Sequence, residues 1–424
     1  MAPRLYKMPA KYWLLLILLL AFLLRAGAAI WLGNKMEVLE AGGTHDQVSY
    51  DMLAYRLANG YGFTFPQAWY PWVPPDTPTS YYSGTMVLHL ALIYKIFGYN
   101  PLIPRLLYAL LGTLIVFLIY RLGKRLFDER AALLAALAAA VYAYLVLYSA
   151  TLLTETPFIL FLLLALDQAY QLWQDPKPRS FFMLGIALAG AILFRMAVLP
   201  FVVVLIIWLV WELRRQHKRY PAWYILIPCA LIVVTVAPWT LRNYDLYGRF
   251  MLLESQFGHV FWNGNHPDRP SDWGEVGWVA PIPLDLADLN EADLTYELLA
   301  RGQQEVLAHP ERFLRLTLGR ARVFFMFWPS ATSSLMSNLG RVLSFGLFLP
   351  FMLAGLALSR QSWRKLLPLY LFLIIHLGVY LSSWVMIRYR VPADAVLLLF
   401  AGLTLSRILA WDPLKKLLPR PTSA

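Results

Sequence analysis

The chain has 424 residues, of which 59% are hydrophobic and only 15% are charged, and its mean hydropathy is +0.54. Soluble domains contain roughly 45–50% apolar residues, so this composition excludes a water-soluble fold. The formal net charge of +12 comes without a basic arm, a zinc pattern or an aromatic-interleaved basic motif, which excludes a nucleic-acid partner. The single cysteine, Cys229, lies in an apolar run, so helix packing rather than disulfide bonds must hold the fold together.

About ten apolar runs approach the length of roughly 20 residues that a membrane-spanning helix needs. In chain order they lie near residues 12–32, 101–120, 131–152, 156–173, 180–195, 197–212, 222–240, 340–358, 366–385 and 391–410. The first run follows Arg4, Lys7 and Lys11 and precedes no convincing small-residue cleavage site, so we expect it to be retained as a span. The pattern predicts an all-α polytopic membrane protein with one domain, residues 1–424.

Lys and Arg cluster in every second connection between these runs, as the positive-inside bias requires of cytoplasmic loops. The clustered residues are Arg121, Lys124, Arg125, Arg130, Arg214, Arg215, Lys218, Arg219, Arg360, Arg364, Lys365, Lys415, Lys416 and Arg420. The intervening connections then face outward, and they include two long outer loops, residues 33–100 and 242–338. We therefore expect both termini in the cytoplasm and the chemically interesting side chains on the outer face.

Two further apolar stretches fit this orientation only if they lie along the outer membrane interface. Residues 82–97 contain His89 and Lys95, and residues 315–328 combine three arginines with four aromatic residues. Basic and aromatic side chains on one helix are typical of a helix that lies in the headgroup region. For the second stretch, a short and distorted span is the alternative.

The first outer loop contains a helical pattern that begins near Asp46 and ends at Gly60. On such a helix Asp46, Tyr50 and Ala54 share one face, because they follow each other at intervals of four residues. An acid in the first turn is commonly a helix cap. Asp46 alone therefore fits either a cap or a reactive carboxylate.

An acid also lies where two apolar runs meet, at Glu155 within the segment Thr154-Glu155-Thr156-Pro157. Ionisable groups at membrane depth are costly and tend to mark functional sites. The neighbouring threonine and proline also permit a simple helix start, in which the carboxylate accepts hydrogen bonds from backbone amides. Both readings remain open.

Several arginines lie at the outward ends of predicted spans, against the positive-inside bias. They are Arg195, Arg242, Arg388 and Arg390. A guanidinium can bind two phosphate oxygens at once, so these residues are candidates for a lipid-linked phosphate. The alternative is that they reach ordinary lipid headgroups.

These features occur together in one order along the chain, and the combination resembles the C-type membrane glycosyltransferase superfamily. Within it, the chain is most similar to bacterial relatives of protein O-mannosyltransferases and of the lipid A aminoarabinose transferase. The residues that carry the resemblance are Asp46, Tyr50, Ala54, Gly98, Glu155, Arg242, Asn243, Gly264, Asn265, Arg388, Tyr389 and Arg390.

The resemblance implies the fold of that superfamily and a glycosyltransferase activity in a bacterial inner membrane, with the active site facing outward. The donor would be a polyprenyl-phosphate-linked sugar, and Asp46 would be the base that deprotonates an acceptor hydroxyl, with inversion at the anomeric carbon. Glu155 would orient hydroxyl groups. The implied substrate-binding residues are Tyr50, Arg242, Asn243, Asn265, Arg388, Tyr389 and Arg390.

Two departures from the relatives concern the first loop. Asp46 is followed by Gln47 where relatives often have a second acid, and Asp76-Thr77-Pro78-Thr79 stands where they have a basic residue beside paired prolines. A contact from a lysine in this loop to the donor phosphate is therefore not expected.

The second outer loop, residues 242–338, is expected to cap the site on the acceptor side. The acceptor could be a protein, a lipid or a polysaccharide. His259 and His266 lie seven residues apart in this loop, a weak pattern for metal binding, so no cofactor and no obligatory metal are predicted, although a divalent cation is possible.

Two other functions use similar features. A flippase or transporter for lipid-linked sugars would place charges along a path across the bilayer, whereas here they gather on one side and few, such as Asp167 and His376, lie within spans. A glycan ligase would also use outward arginines, but its working residue would more typically be a loop histidine. The distribution of charge favours a transferase.

Overall fold

The computed structural model describes residues 9–36, 46–68, 73–217, 220–270, 278–331, 333 and 335–410. Over these residues the secondary structure is helical, apart from one isolated bridge between Thr64 and Pro78. The predicted all-α class is therefore confirmed. The basic residues predicted at Arg4, Lys7, Lys218, Arg219, Lys415, Lys416 and Arg420 lie outside the described residues.

Seventeen α-helices follow one another in this part of the chain. Their bounds are α1 Ala10–Leu32, α2 Asp46–Ala58, α3 Gly84–Phe97, α4 Leu102–Leu126, α5 Glu129–Val141, α6 Ala143–Tyr148, α7 Glu155–Gln174, α8 Pro178–Phe194, α9 Leu199–Arg215, α10 Leu226–Tyr247, α11 Gln256–Asn265, α12 Glu291–Ala308, α13 Pro310–Phe324, α14 Leu335–Arg341, α15 Leu347–Leu358, α16 Trp363–Ser382 and α17 Val391–Ala410. A π-helical segment, Val342–Gly346, joins α14 to α15 without a break.

Seven segments of the described chain are long and apolar enough to cross a membrane, and they make the chain an integral membrane protein. They are Ala10–Leu32, Leu102–Leu126, Met196–Arg215, Ala222–Tyr247, Ser337–Leu358, Arg360–Ser382 and Ile387–Ala410. The other three predicted spans coincide with α5–α6, α7 and α8, which are helical but broken, more polar or shorter. The total of ten spans stays a prediction.

The two stretches expected at the interface are helical. The first is α3, with 14 residues, and the second begins within α13, with 15 residues. At 1.5 Å per residue each is about 21–23 Å long, which is less than the roughly 30 Å of the hydrocarbon core. Their lengths agree with an interfacial location, which itself stays a prediction.

Small residues let the central helices approach closely. Helix α5 is largely alanine, and it packs against α17 and α4. At Gly402 on α17, an added Cβ atom would lie 2.5 Å from the Ala131 carbonyl oxygen, and at Gly355 on α15 it would collide with the backbone of Phe400. Because lipid tails are as apolar as leucine, close packing of this kind is the main attraction between membrane helices.

The predicted span 131–152 is broken at Tyr142, where α5 ends and α6 begins. A break inside a membrane helix frees backbone carbonyls that lipid cannot satisfy. Arg25 of α1 supplies the missing donors, because its guanidinium donates to the carbonyls of Ala139 and Ala140 at 3.0 and 3.1 Å. This arginine is fully buried and therefore fixes α1 against the end of α5.

Replacing Arg25 by methionine tests this role. The variant keeps side-chain volume but leaves two buried carbonyls without donors, at a cost of about 1–3 kcal/mol for each unsatisfied group. We expect the thermal unfolding midpoint of the detergent-solubilised protein to fall by several degrees, measured by tryptophan fluorescence. The exposed Arg407 provides the control, and an Arg25→Met midpoint equal to that of Arg407→Met would contradict the interpretation.

Candidate active site

A cavity of about 460 Å³ lies where the ends of several helices meet, and its volume is typical of small-molecule sites. Its polar wall contains Asp46, Tyr50, Thr154, Arg195, Glu254, Arg388 and Tyr389. Its apolar wall contains Phe194, Leu199, Pro200, Phe257, Val260, Phe261 and Val379. A polar wall facing an apolar one suits a ligand with a charged head and a hydrocarbon tail.

The charged side chains of this wall form an alternating network of two acids and two arginines. Arg388 donates a hydrogen bond to Oδ2 of Asp46, and its Nη1 lies 3.5 Å from Oε1 of Glu155. Arg195 Nη2 donates to the same Glu155 oxygen at 2.8 Å. Each buried charge therefore has an opposite charge beside it, which offsets the cost of removing it from water.

Helix ends place all four members of the network. Asp46 and Glu155 are the first residues of α2 and α7, where a carboxylate also benefits from the partial positive charge of the helix. Arg195 follows the last residue of α8, and Arg388 lies in a short 3₁₀ turn immediately before α17. Residues 342 positions apart in the sequence thereby meet.

Tyr389 holds the two guanidinium groups in position. Its ring stacks on the ring of Tyr380 at 4.7 Å between centroids, and the guanidinium carbons of Arg195 and Arg388 each lie 5.1 Å from its centre. Arg195 also donates to the Tyr380 hydroxyl at 3.1 Å. Cations over an aromatic face are attracted to it, so this tyrosine pair fixes the direction of both arginines.

One acid of the cavity was not anticipated from the sequence. Glu254 lies in the connection between α10 and α11, and Asn243 and Trp239 hold this connection by donating to the carbonyl of Leu253 at 2.9 and 2.6 Å. Burial raises the pKa of the Glu254 carboxyl to about 7; the negative charge of Asp46 also raises it, and Arg195 opposes the shift. The sequence signal that could have indicated Glu254 is the position of an acid between an apolar run and the start of a helix.

Four of the nine predicted site residues line the cavity directly: Asp46, Tyr50, Arg388 and Tyr389. Glu155 is fully buried behind the wall and touches the cavity only through its two arginine partners. Its second oxygen, Oε2, has no hydrogen-bond partner among the described residues. Arg195, which the sequence indicated as a candidate for binding a lipid-linked phosphate, belongs to the network.

The other predicted residues have protein partners away from the cavity wall. Arg242 donates to the Ser80 hydroxyl at 2.9 Å and lies over the ring of Trp239. Asn243 binds the backbone that precedes Glu254, as described above. Arg390 is completely buried and pairs with Asp394 at 3.2 Å. A substrate-binding role for these three residues stays a prediction without a contact that supports it.

Asn265 supports the wall rather than lining it. Its amide donates to the carbonyls of Phe261 and Ser382, at 3.0 and 3.1 Å, and both of these residues face the cavity. Its oxygen accepts a hydrogen bond from the buried Arg320 at 2.7 Å. The arrangement joins α11, α13 and the end of α16 into one wall.

No group of three histidine, cysteine or carboxylate side chains close enough to hold a metal ion occurs in the part of the chain that the structure describes. His259 instead lies 3.1 Å from the hydroxyl of Tyr81, and burial lowers its pKa to about 4. His266 lies against the rings of Trp262 and Trp278.

The fold has known counterparts. An apo oligosaccharyltransferase from Archaeoglobus fulgidus is similar over 98% of this chain and 52% of its own, with a TM-score of 0.58 and 16% identity. The archaeal oligosaccharyltransferase AglB from the same organism, in complex with an inhibitory peptide and a dolichol-phosphate, matches 97% of this chain and 53% of its own, with a TM-score of 0.51 and 16% identity. The chain has the C-type glycosyltransferase fold. The resemblance noted in the sequence is thereby confirmed for the fold.

A family model and a further solved structure also match the chain. The family model described as dolichyl-phosphate-mannose-protein mannosyltransferase matches residues 86–239. ArnT from Cupriavidus metallidurans bound to undecaprenyl phosphate is 14% identical, with a TM-score of 0.48, over 94% of this chain and 61% of its own. No curated protein sequence matches. The chain spans about half the length of the oligosaccharyltransferase structures.

A double-mutant cycle tests whether Asp46 and Arg388 meet. Either Asp46→Asn or Arg388→Met leaves a mostly buried charge without its partner, whereas the double variant removes both. We expect a coupling of about 1–3 kcal/mol in the free energy of unfolding. Arg56 and Asp76 provide the control, since Asp76 is 69% exposed and such pairs couple by less than about 1 kcal/mol. Additive effects at 46 and 388 would show that the pair does not form.

Proposed function

We propose that the chain is a glycosyltransferase that moves one sugar from a polyprenyl-phosphate carrier to an acceptor hydroxyl at the outer face of the membrane. The observation that carries the proposal is the cavity in which Asp46 and two arginines lie together beside an apolar wall. A lipid phosphate needs such a combination of guanidinium groups and hydrocarbon surface. The likeness in fold to AglB, which was solved with a dolichol-phosphate, agrees with this donor class.

Asp46 has the properties required of the base. Its side chain keeps 22% of its surface exposed while it lines the cavity, so its carboxylate is within reach of a bound hydroxyl. The hydrogen bond from Arg388 orients that carboxylate. As the acceptor oxygen attacks the anomeric carbon, Asp46 takes its proton, and a single displacement of this kind inverts the configuration.

Arg388 and Arg195 suit the departing phosphate. When the bond between the anomeric carbon and the phosphate oxygen breaks, negative charge gathers on the phosphate, and fixed cations at that position stabilise the transition state. Both guanidiniums are already held by Tyr389, so little reorganisation is required. Glu155 behind them keeps the pair together and does not need to touch the substrate.

Charge at the two ends of α9 supports the outward orientation. The helix begins beside Arg195 and the cavity, and it ends about 25 Å away at Arg214 and Arg215. The basic pair belongs to a predicted cytoplasmic loop, so the positive-inside bias puts the cavity on the opposite face. In a bacterial inner membrane, this orientation also leaves both termini on the cytoplasmic side.

The proposal can be tested by incubating the purified protein, in detergent, with a panel of polyprenyl-phosphate sugars and candidate acceptors. With at least one donor we expect the free lipid phosphate to be released, and chromatography measures this release. Asp46→Asn should lower the turnover about 100-fold or more, because a positioned base contributes roughly 10²–10⁴-fold.

The control for this experiment is Asp245→Asn, which makes the same change at an exposed aspartate near the end of α10. We expect it to match the wild type. Normal turnover by Asp46→Asn would reject the proposed base. Movement of an intact lipid-linked sugar across vesicle membranes, without cleavage, would instead favour the flippase alternative.

A further inference from the structure

Glu254 lines the cavity but does not belong to the network of two acids and two arginines. Asp46, Glu155, Arg195 and Arg388 already balance one another as two carboxylates and two guanidiniums. The Glu254 carboxyl makes no hydrogen bond or ion pair among the described residues, although it lines the same cavity. An ionised Glu254 would therefore give a surplus negative charge to the cavity in which the anionic donor is proposed to bind.

The titratable groups that share the cavity with Glu254 come from four parts of the fold. Helix α2 contributes Asp46 and Tyr50, the end of α8 contributes Arg195, and the turn before α17 contributes Arg388 and Tyr389. The remaining titratable group of the wall is Tyr380 of α16. Arg195, whose charge lowers the pKa of Glu254, has Glu155 as its partner at 2.8 Å, so no arginine is committed to Glu254.

Burial and the charge of Asp46 bring the pKa of Glu254 to about 7, above the ordinary value for a glutamate. At neutral pH the protonated carboxyl is therefore accessible and can donate a hydrogen bond to an anion. A group with a pKa near the working pH is also the most effective proton donor and acceptor.

We propose that Glu254 protonates the lipid phosphate as it leaves and is then reloaded with the proton that Asp46 removes from the acceptor. The inference rests on the proposed transfer reaction. It adds a second catalytic carboxyl to the site, on the connection between α10 and α11, and assigns it to the phosphate rather than to the acceptor.

The atoms balance over one cycle. The acceptor oxygen bonds to the anomeric carbon, and its proton passes to the Asp46 carboxylate. The bond from that carbon to the phosphate oxygen breaks, and its electron pair stays on the phosphate, which becomes a monoester with a second negative charge. The phosphate takes the proton of Glu254 and leaves as a monoanion, a transfer between groups of similar acidity because the second pKa of such phosphates is about 6.

The site resets without a co-reactant. After the phosphate has left, Asp46 carries a proton beside Arg388, and Glu254 is ionised without a paired cation. Burial favours the protonated form of Glu254, so the proton moves from Asp46 to Glu254. The proton of the acceptor hydroxyl has then reached the position from which the next phosphate is protonated.

Binding of a polyprenyl methyl phosphodiester tests the inference separately from turnover. This probe carries one negative charge across pH 6–9, so only the protein titrates. If the protonated Glu254 donates to the phosphate, the affinity of the wild type is constant below about pH 7 and falls by up to about tenfold per pH unit above it. Glu254→Gln stays neutral and its affinity should be independent of pH, whereas Glu254→Asp should retain the slope.

The pH dependence of kcat provides the second readout. We expect wild-type turnover to fall above pH 7, and Glu254→Gln to be slower by about 100-fold at pH 6 with no alkaline decline. Glu297→Gln, at an exposed position of α12, is the matched control and should keep the wild-type profile.

The outcomes separate the two proposals. Sugar transfer by the wild type with a flat binding profile, or an unchanged slope in Glu254→Gln, would overturn the role of Glu254 and leave the transferase proposal standing. Failure of the wild type to bind the phosphodiester at any pH would overturn both. A lower melting temperature in Glu254→Gln with the wild-type slope would identify a purely structural acid.

Discussion

The ion pair between Asp46 and Arg388 is the contact on which the site depends. It joins the start of α2 to the turn before α17, and through Glu155 and Arg195 it also includes the ends of α7 and α8. Buried charges are costly unless they are paired, so none of these groups would be stable alone. The four helix ends therefore have to converge, and their convergence creates the cavity.

Two kinds of buried charge can be distinguished by what surrounds them. Arg390 pairs with Asp394, which also accepts from Tyr142, and it donates to two backbone carbonyls, so its partners are all protein groups. Asp167 is similarly enclosed between Arg121 and Arg125 of α4. Asp46 differs because part of its carboxylate faces an open cavity. The first two arrangements stabilise the bundle, whereas the third is available to a ligand.

Much of this organisation could be predicted from the sequence because it is local. Apolar runs indicated the membrane helices, and the spacing of Asp46, Tyr50 and Ala54 indicated one face of a helix, which the structure places in α2. Asp46 and Arg388 could also be predicted as site residues, because a charge beside an apolar run is costly and tends to mark a functional site. Which charges meet could not be derived, because helical periodicity determines directions within one helix and not the packing between helices.

The motif Arg388-Tyr389-Arg390 illustrates that limit. Its two arginines are equivalent as sequence, yet the 3₁₀ turn directs Arg388 to the cavity and Arg390 into the bundle, next to Asp394 one turn further on. Glu254 was missed for a related reason. Its position between an apolar run and a helix start is one that solvated loop acids also occupy. Its significance comes from Asp46, a residue about 200 positions earlier, and from the way Asn243 and Trp239 hold its backbone.

An experimental structure of the protein bound to a polyprenyl phosphate tests the central claim most directly. We expect the phosphate in the cavity, within hydrogen-bond distance of Arg388 or Arg195, with the lipid chain along the wall formed by Leu199, Pro200 and Val379. A phosphate bound at Arg242 or outside the cavity, with Asp46 remote from it, would contradict the account.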